Sequence, residues 1–337
     1  MVQSNSISGA IQGVVNNSDY NLLIGLIVGF VVVSVSALIF IFGVKGVAGV
    51  TEKIVPIMAI LYIVGGIVVL CFNIKLIPET FGMIFKFAFA PQAVIGGGIG
   101  YALKTAISKG AQRGLFSNEA GMGSTPHAHA LANVKTPHEQ GTVAMAGVFI
   151  DTFVVLTMTA LIVISSLYAG NGPIMEIVNG GLAQGLSSAE ILDAVAKAGF
   201  DKTTLVQSAI ASTINGGSVG NIISAIYIAI CLTFFAFSTI ISWNLFGKIN
   251  FEYLFGKKAI IVYTIISLIC IFLGSVLKSD LVWSLTDFFN YLMVLPNAIA
   301  LIKLGKMVVG ELNEHDALKK TEKLLKKNER EKNKTNI

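Results

Sequence analysis

The sequence predicts an all-α polytopic membrane protein, and three observations carry that prediction. Only 13% of the 337 residues are charged, against about 25% in an ordinary soluble domain. Apolar residues make up 54% of the chain, and the mean hydropathy is +0.76. Several apolar runs are of spanning length, while the short alternating segments of a membrane β-barrel are absent. Too few charges remain to solvate a globular surface, which argues against a cytosolic enzyme. The same numbers exclude low-complexity disorder.

Seven apolar segments can be drawn, at 20–44, 54–72, 81–108, 143–168, 219–246, 259–278 and 282–304. At ~1.5 Å per residue, about 20 residues cross a ~30 Å hydrocarbon core. The chain thus divides into a short leading part (1–19), a membrane core (20–305) and a Lys-rich tail (306–337). The third segment is long and interrupted, with Pro91 followed by Gly96, Gly97, Gly98 and Gly100. Each such glycine costs ~1 kcal/mol against alanine in a helix. Close helix packing explains one or two of them, whereas an unwound break explains all four. A break exposes backbone carbonyls and half-helix ends to ions and carboxylates. The stretch 169–217 is mildly polar, with amphipathic helix character around Ala189–Ala198.

Orientation follows from the Lys/Arg distribution. The tail from Lys303 onward holds ten Lys/Arg and six Asp/Glu, which is +4 of the net +5. This is a solvated tail and not a surface for reading nucleic acid. With the tail placed in the cytoplasm, eighteen basic residues fall inside and four (Lys75, Lys197, Lys202 and Lys278) outside, with Lys86 and Lys104 in the broken segment. Seven crossings then put residues 1–19 outside, although they carry no basic leader of a secretory signal. Residues 1–16 read like the outer half of a membrane helix, so the chain is expected to be a fragment or to have a miscalled start.

Polar groups at membrane depth are costly and face a cavity or a partner. Asp151 and Thr152 open the fourth segment, where Asp151 is either an N-cap or a functional carboxylate. Ser238 and Thr239 lie deep in the fifth. Their hydroxyls either bond back to the preceding turn or serve as hard-oxygen ligands for a small cation. Trp243 follows Thr239 by one turn and shares its face, as a pocket wall or a lipid-facing residue. Asp287, Asn290 and Asn297 mark the last segment, where Asp287 and Asn290 share one face and either line an outer vestibule or bond a neighbouring helix.

Two enzyme-like patterns are discounted. Gly216-Gly217-Ser218-Val219-Gly220 fits G-x-S-x-G, but Ser218 falls outside and all four histidines inside, ~30 Å apart across the bilayer. Ser218 reads better as a helix cap. His127, His129 and His138 lack metal-site spacing and read as loop residues packed on inner helix ends. Cys71, Cys231 and Cys270 lie in apolar runs and are expected to be buried small hydrophobes. No cofactor is expected.

The run RGLFSNEAGMGSTPHAHALANVKTPHEQG from Arg113 to Gly141, followed by VFIDTFVVLTMTALI, resembles the hallmark stretch of the alanine/glycine:cation symporters, the sodium:alanine symporter family. TEKIVPIMAILYIVGG (51–66), FAFSTIISWNLFG (235–247) and LPNAIALI (295–302) resemble it too, in order along nearly the whole chain. The resemblance implies a LeuT-type inverted-repeat transporter fold lacking about its first two and a half helices, with a site at the midplane. It implies sodium-coupled symport of alanine or glycine across the plasma membrane by alternating access. Ser238 and Thr239 match hydroxyls expected to hold sodium. Trp243 and the Gly96, Gly97, Gly98 and Gly100 break match positions expected to shape the amino-acid pocket, and Gln3 is a further substrate candidate. Asn118 and Glu119 would belong to the inner gate. Half of the ion and substrate ligands would come from missing N-terminal helices or a partner chain, and the chain alone is expected not to transport. The alternative is a non-transporting membrane fragment or accessory remnant.

Overall fold

The computed structural model describes all residues except 42, 90–98, 120, 201–203, 215–216 and 336–337. Among the described residues the regular structure is wholly helical. Helix α1 (Val2–Val15) ends at Asn16, whose left-handed backbone (φ 50°) lets its N–H reach the Gln12 carbonyl. Then come α2 (Asn21–Ile41), α3 (Gly43–Phe72), α4 (Ile77–Phe89) and α5 (Ile99–Asn118). A short α6 (Pro126–His129) and α7 (Pro137–Phe149) lead into a π-helical turn (Ile150–Leu156), which α8 (Thr157–Leu167) continues. Three short helices follow: α9 (Pro173–Ala183), α10 (Ser188–Lys197) and α11 (Leu205–Ile214). The chain closes with α12 (Gly217–Phe255), α13 (Ile260–Val276) and α14 (Ser279–Thr335).

Among the described residues, six helical stretches are long and apolar enough to cross a membrane: Ser18–Ile41, Gly46–Phe72, Pro137–Leu167, Gly217–Phe255, Lys257–Val276 and Ser279–Lys326. They correspond to six of the seven expected segments. The remaining one, 81–108, is represented by α4 and α5, and the glycine run between them lies outside the described residues. Helix ends differ from the hydropathy boundaries because hydrogen-bonded turns continue past the hydrocarbon. Helix α3 begins eleven residues before the expected 54 and runs through Pro56. The fourth segment starts not at 143 but at Pro137, where the Thr136 hydroxyl accepts the Glu139 N–H at 3.3 Å. This corrects one expectation: Asp151 is not an N-cap. Nor is Ser218, which falls inside the first turn of α12. The Lys-rich tail, expected only to be solvated, is an unbroken continuation of α14.

Two apolar clusters organise the bundle, and the long helices α3 and α12 run through both. The first joins Ile7 of α1, Val28, Val32 and Phe40 of α2, Val47 of α3, Ile241 and Leu245 of α12, and Ile271 of α13. The second joins Val69 of α3, Met158 and Ile162 of α8, Ile174 of α9, Ile210 of α11 and Ile228 of α12. Helix α1 packs chiefly on α12, α13 and α2, so it is an interior element.

The distribution of polarity is the reverse of a soluble protein's. Ser4, Asn5, Ser8, Gln207 and Ser275 are buried, while Leu22, Phe30, Leu38, Ile67 and Phe72 face outward. Cys71 also faces outward, against the expectation of a buried small hydrophobe; Cys231 is buried. Lipid tails solvate leucine as well as a core does, so helix association relies on close packing and interhelical hydrogen bonds. Both are present at the α1–α2–α13 junction. Gly25 and Gly29, four apart, present a small-residue face to Ser275, and a Cβ on Gly25 would stand 2.8 Å from the Ser275 carbonyl oxygen. The Asn5 amide donates to the carbonyls of Gly274 (3.0 Å) and Leu277 (2.8 Å), satisfying groups that the end of α13 leaves unpaired.

Candidate functional site

A cavity of about 290 Å³ lies where α1, α12, α13 and α14 meet. Its polar lining includes Gln3, Trp243, Asn244, Tyr263, Ser267, Thr286 and Asn290, and its apolar lining includes Phe116, Ile240 and Phe289. Gln3 and Trp243, expected at a substrate pocket from opposite ends of the chain, therefore face one space. Asn244, Ser267 and Thr286 were not anticipated. A deep asparagine beside Trp243 was the available signal for the first. Asn244 donates to the Ser267 hydroxyl at 2.8 Å, which ties α12 to α13 at the cavity wall. Asn290 is the one of the three flagged polar residues on α14 that lines this cavity.

The indole of Trp243 is held from the inner loop. Its Nε1–H donates to Glu119 Oε1 at 2.6 Å, and Glu119 Oε2 accepts the Ser124 hydroxyl at 2.6 Å. Both carboxylate oxygens are thus engaged, one on the cavity wall and one within the loop. The loop can fold back this tightly because Glu119, Gly121 and Gly123 all adopt positive φ (56°, 93° and 79°). Two of the three are glycine, for which that region carries no steric cost. Glu119 does not, and its strain is the observable mark of a constrained position.

Ser238 and Thr239 lie one turn before Trp243. Each donates its hydroxyl to the Phe235 carbonyl, at 3.0 and 2.9 Å, and the Ser238 oxygen lies 3.7 Å from the Met58 sulfur. The back-bonding geometry is therefore observed. It uses the proton of each hydroxyl and leaves the oxygen lone pairs as acceptors. Gly96, Gly97 and Gly98 lie outside the described residues, and Gly100 is the second residue of α5.

Asp287 bonds a neighbouring helix: it pairs in bidentate fashion with Arg113 of α5, at 3.2 and 3.3 Å. The guanidinium carbon also stands 4.5 Å over the Trp283 ring. The histidines pack against the loop and the helix ends. His127 bonds the Ser124 carbonyl and the Asn250 amide, each at 2.8 Å, and stacks on Phe246. Gln140 donates to His129 at 2.7 Å, and His138 stacks on His315 of α14.

The chain matches the sodium:alanine symporter family over residues 1–330. It belongs to that family. It is 36% identical over 323 residues to the sodium/alanine symporter AgcS of Methanococcus maripaludis, covering 96% of this chain and 62% of AgcS. An uncharacterized transporter of Haemophilus influenzae is 34% identical over 316 residues, covering 93% of this chain and 60% of its own length. The probable sodium/glutamine symporter GlnT of Bacillus subtilis is 33% identical over 323 residues, covering 96% and 59%. The chain thus spans about three-fifths of the length of the relatives it matches. As a member of the sodium:alanine symporter family with six spanning-length helices, it is a multi-pass membrane protein of a transporter family.

Proposed function

We propose that the protein performs sodium-coupled symport of a small neutral amino acid, alanine or glycine, across the plasma membrane, with its C-terminus cytoplasmic. The cavity shared by Gln3 and Trp243 carries this reading. Its volume is at the low end of the ~300–1,000 Å³ usual for small-molecule sites. It offers amide and hydroxyl groups for an ammonium and a carboxylate, and an apolar wall for a methyl group or a hydrogen. Sodium would sit against the lone pairs of Ser238 and Thr239, one turn from the Trp243 wall. The LeuT-type inverted-repeat arrangement and alternating access remain part of this proposal, as does the Gly96–Gly100 contribution to the pocket. The part of the relatives' length outside the match, or a partner chain, would supply the other ligands.

The test is uptake of labelled alanine by proteoliposomes holding the full-length gene product, with an inward sodium gradient against a potassium control. Accumulation that needs sodium, and that unlabelled glycine competes away, is expected. Sodium-dependent alanine binding without flux would favour the alternative, a non-transporting membrane accessory; neither binding nor flux would remove the symport reading.

A further inference from the structure

Asp151 stands well inside the Pro137–Leu167 span, fourteen residues from its start. Measured from the middle of the apolar stretch 143–168, it lies ~7 Å from the membrane midplane, within a ~30 Å hydrocarbon core. Ionisable side chains at this depth are expensive and mark ion or proton pathways unless a partner neutralises them. Among the described residues the ion pairs are Arg113–Asp287 and Lys197–Asp193, and neither involves Asp151. The carboxylate is half-buried, and it accepts a hydrogen bond from the Ser117 hydroxyl at 2.8 Å.

The backbone around it is also irregular. Residues Ile150–Leu156 form a π-helical turn inside an otherwise α-helical span, a feature frequent at functional sites. This wider turn sets Asp151 and Thr152 against successive residues at the end of α5. Ser117 meets Asp151, and the Asn118 amide meets the Thr152 hydroxyl at 3.4 Å. Beside the four residues opens a cavity of about 770 Å³, which Asp151, Ser117 and Asn118 line.

We propose that Asp151, Ser117, Asn118 and Thr152 form a site for one small monovalent cation, separate from the Ser238–Thr239 pair. All four offer hard oxygens: a carboxylate, two hydroxyls and an amide carbonyl. The charge count favours a monovalent ion. Glu119 also lines the cavity, but both its oxygens are engaged by Trp243 and Ser124. Asp151 is the one carboxylate within the four-residue set, so the ligands themselves carry a single negative charge. One positive charge neutralises it, whereas a divalent ion would leave an excess charge in a low-dielectric setting. On binding, the Ser117 hydroxyl turns its proton away from the carboxylate and presents its oxygen. The site does not depend on the symport proposal.

The test is equilibrium binding of radioactive sodium to the purified protein in lipid nanodiscs with choline as the background cation. Asp151→Asn is expected to remove one saturable sodium component, or to weaken it tenfold or more, while retaining the wild-type unfolding temperature in choline. Ser117→Ala removes one neutral ligand and should weaken the same component severalfold. That component should persist in the Ser238→Ala/Thr239→Ala double variant. Unchanged sodium binding by Asp151→Asn and Ser117→Ala would overturn the proposal. So would a site that responds to pH in choline but takes no sodium, which would make Asp151 a proton carrier.

Discussion

Replacing Glu119 by alanine removes the carboxylate that holds the Trp243 indole at the cavity wall. The bond is short, 2.6 Å between Nε1 and Oε1, and its acceptor is a carboxylate oxygen. Hydrogen bonds to a charged group contribute ~1.5–3 kcal/mol net. If that contribution keeps the indole in the wall, its loss weakens the alanine binding proposed above roughly 10- to 150-fold. Glu119→Gln keeps an acceptor oxygen but not the charge. It should retain ~0.5–1.5 kcal/mol of the bond and lose less affinity. Trp243 and Trp283 are the two tryptophans of the chain, so Trp283→Phe leaves the Trp243 indole as sole reporter. In that background, Glu119→Ala should shift the emission of Trp243 and weaken the alanine-induced fluorescence change. Glu119→Ala combined with Trp243→Phe should bind alanine no worse than Trp243→Phe alone, because the two residues act as one unit. Full additivity in that cycle, or an unshifted emission, would refute the reasoning.

Other expectations follow from individual contacts. Arg113→Ala leaves Asp287 charged without its partner. It should lower the unfolding temperature more than the Arg113→Ala/Asp287→Asn double variant does, by an amount near 1 kcal/mol because the pair is partly exposed; equal losses would show that the pair contributes nothing. Gly25→Ala drives a methyl group against the Ser275 backbone carbonyl and should cost ~1–3 kcal/mol of stability. Gly49→Ala meets nothing within 4 Å and serves as the control in the same thermal-unfolding assay. At α10, the Ser187 hydroxyl and backbone N–H bond the Glu190 carboxylate and hold its pKa below the ordinary carboxylate range. A depressed folded-state pKa means that the cap stabilises at neutral pH and is lost as pH falls through Glu190's folded value. The protection factors of the α10 amides, that is, exchange corrected for its intrinsic pH dependence, should therefore fall on acidification, and Ser187→Ala should move that fall to higher pH. α10 protection factors that stay constant across that range would contradict the cap's role.

Much of the membrane architecture was legible from apolar runs, because crossing a bilayer is a local demand on ~20 consecutive residues. Six expected segments have spanning helices as counterparts, and α10 lies where the amphipathic pattern around Ala189–Ala198 put it. Gln3 and Trp243 were readable as site candidates only through the family resemblance. Nothing within 240 residues of separation says that two side chains will face one cavity. The same holds for Glu119 and Trp243, 124 residues apart.

Asp151 shows where the limit lies. Hydropathy starts its segment at 143, next to a polar stretch, and from there the carboxylate reads equally as an N-cap or as a functional group. The structure starts the helix at Pro137 through the Thr136 cap, so Asp151 lies inside a continuous helical span and not at its start. Hydropathy records the preference of a stretch for lipid. It does not record where backbone hydrogen bonding begins, which turn widens to a π-helix, or which polar group on another helix comes within 3 Å. The sequence by itself determined a multi-pass helical membrane protein and its family. Only the tertiary structure decided which buried polar groups meet, because that depends on contacts between helices that the chain brings together from far apart.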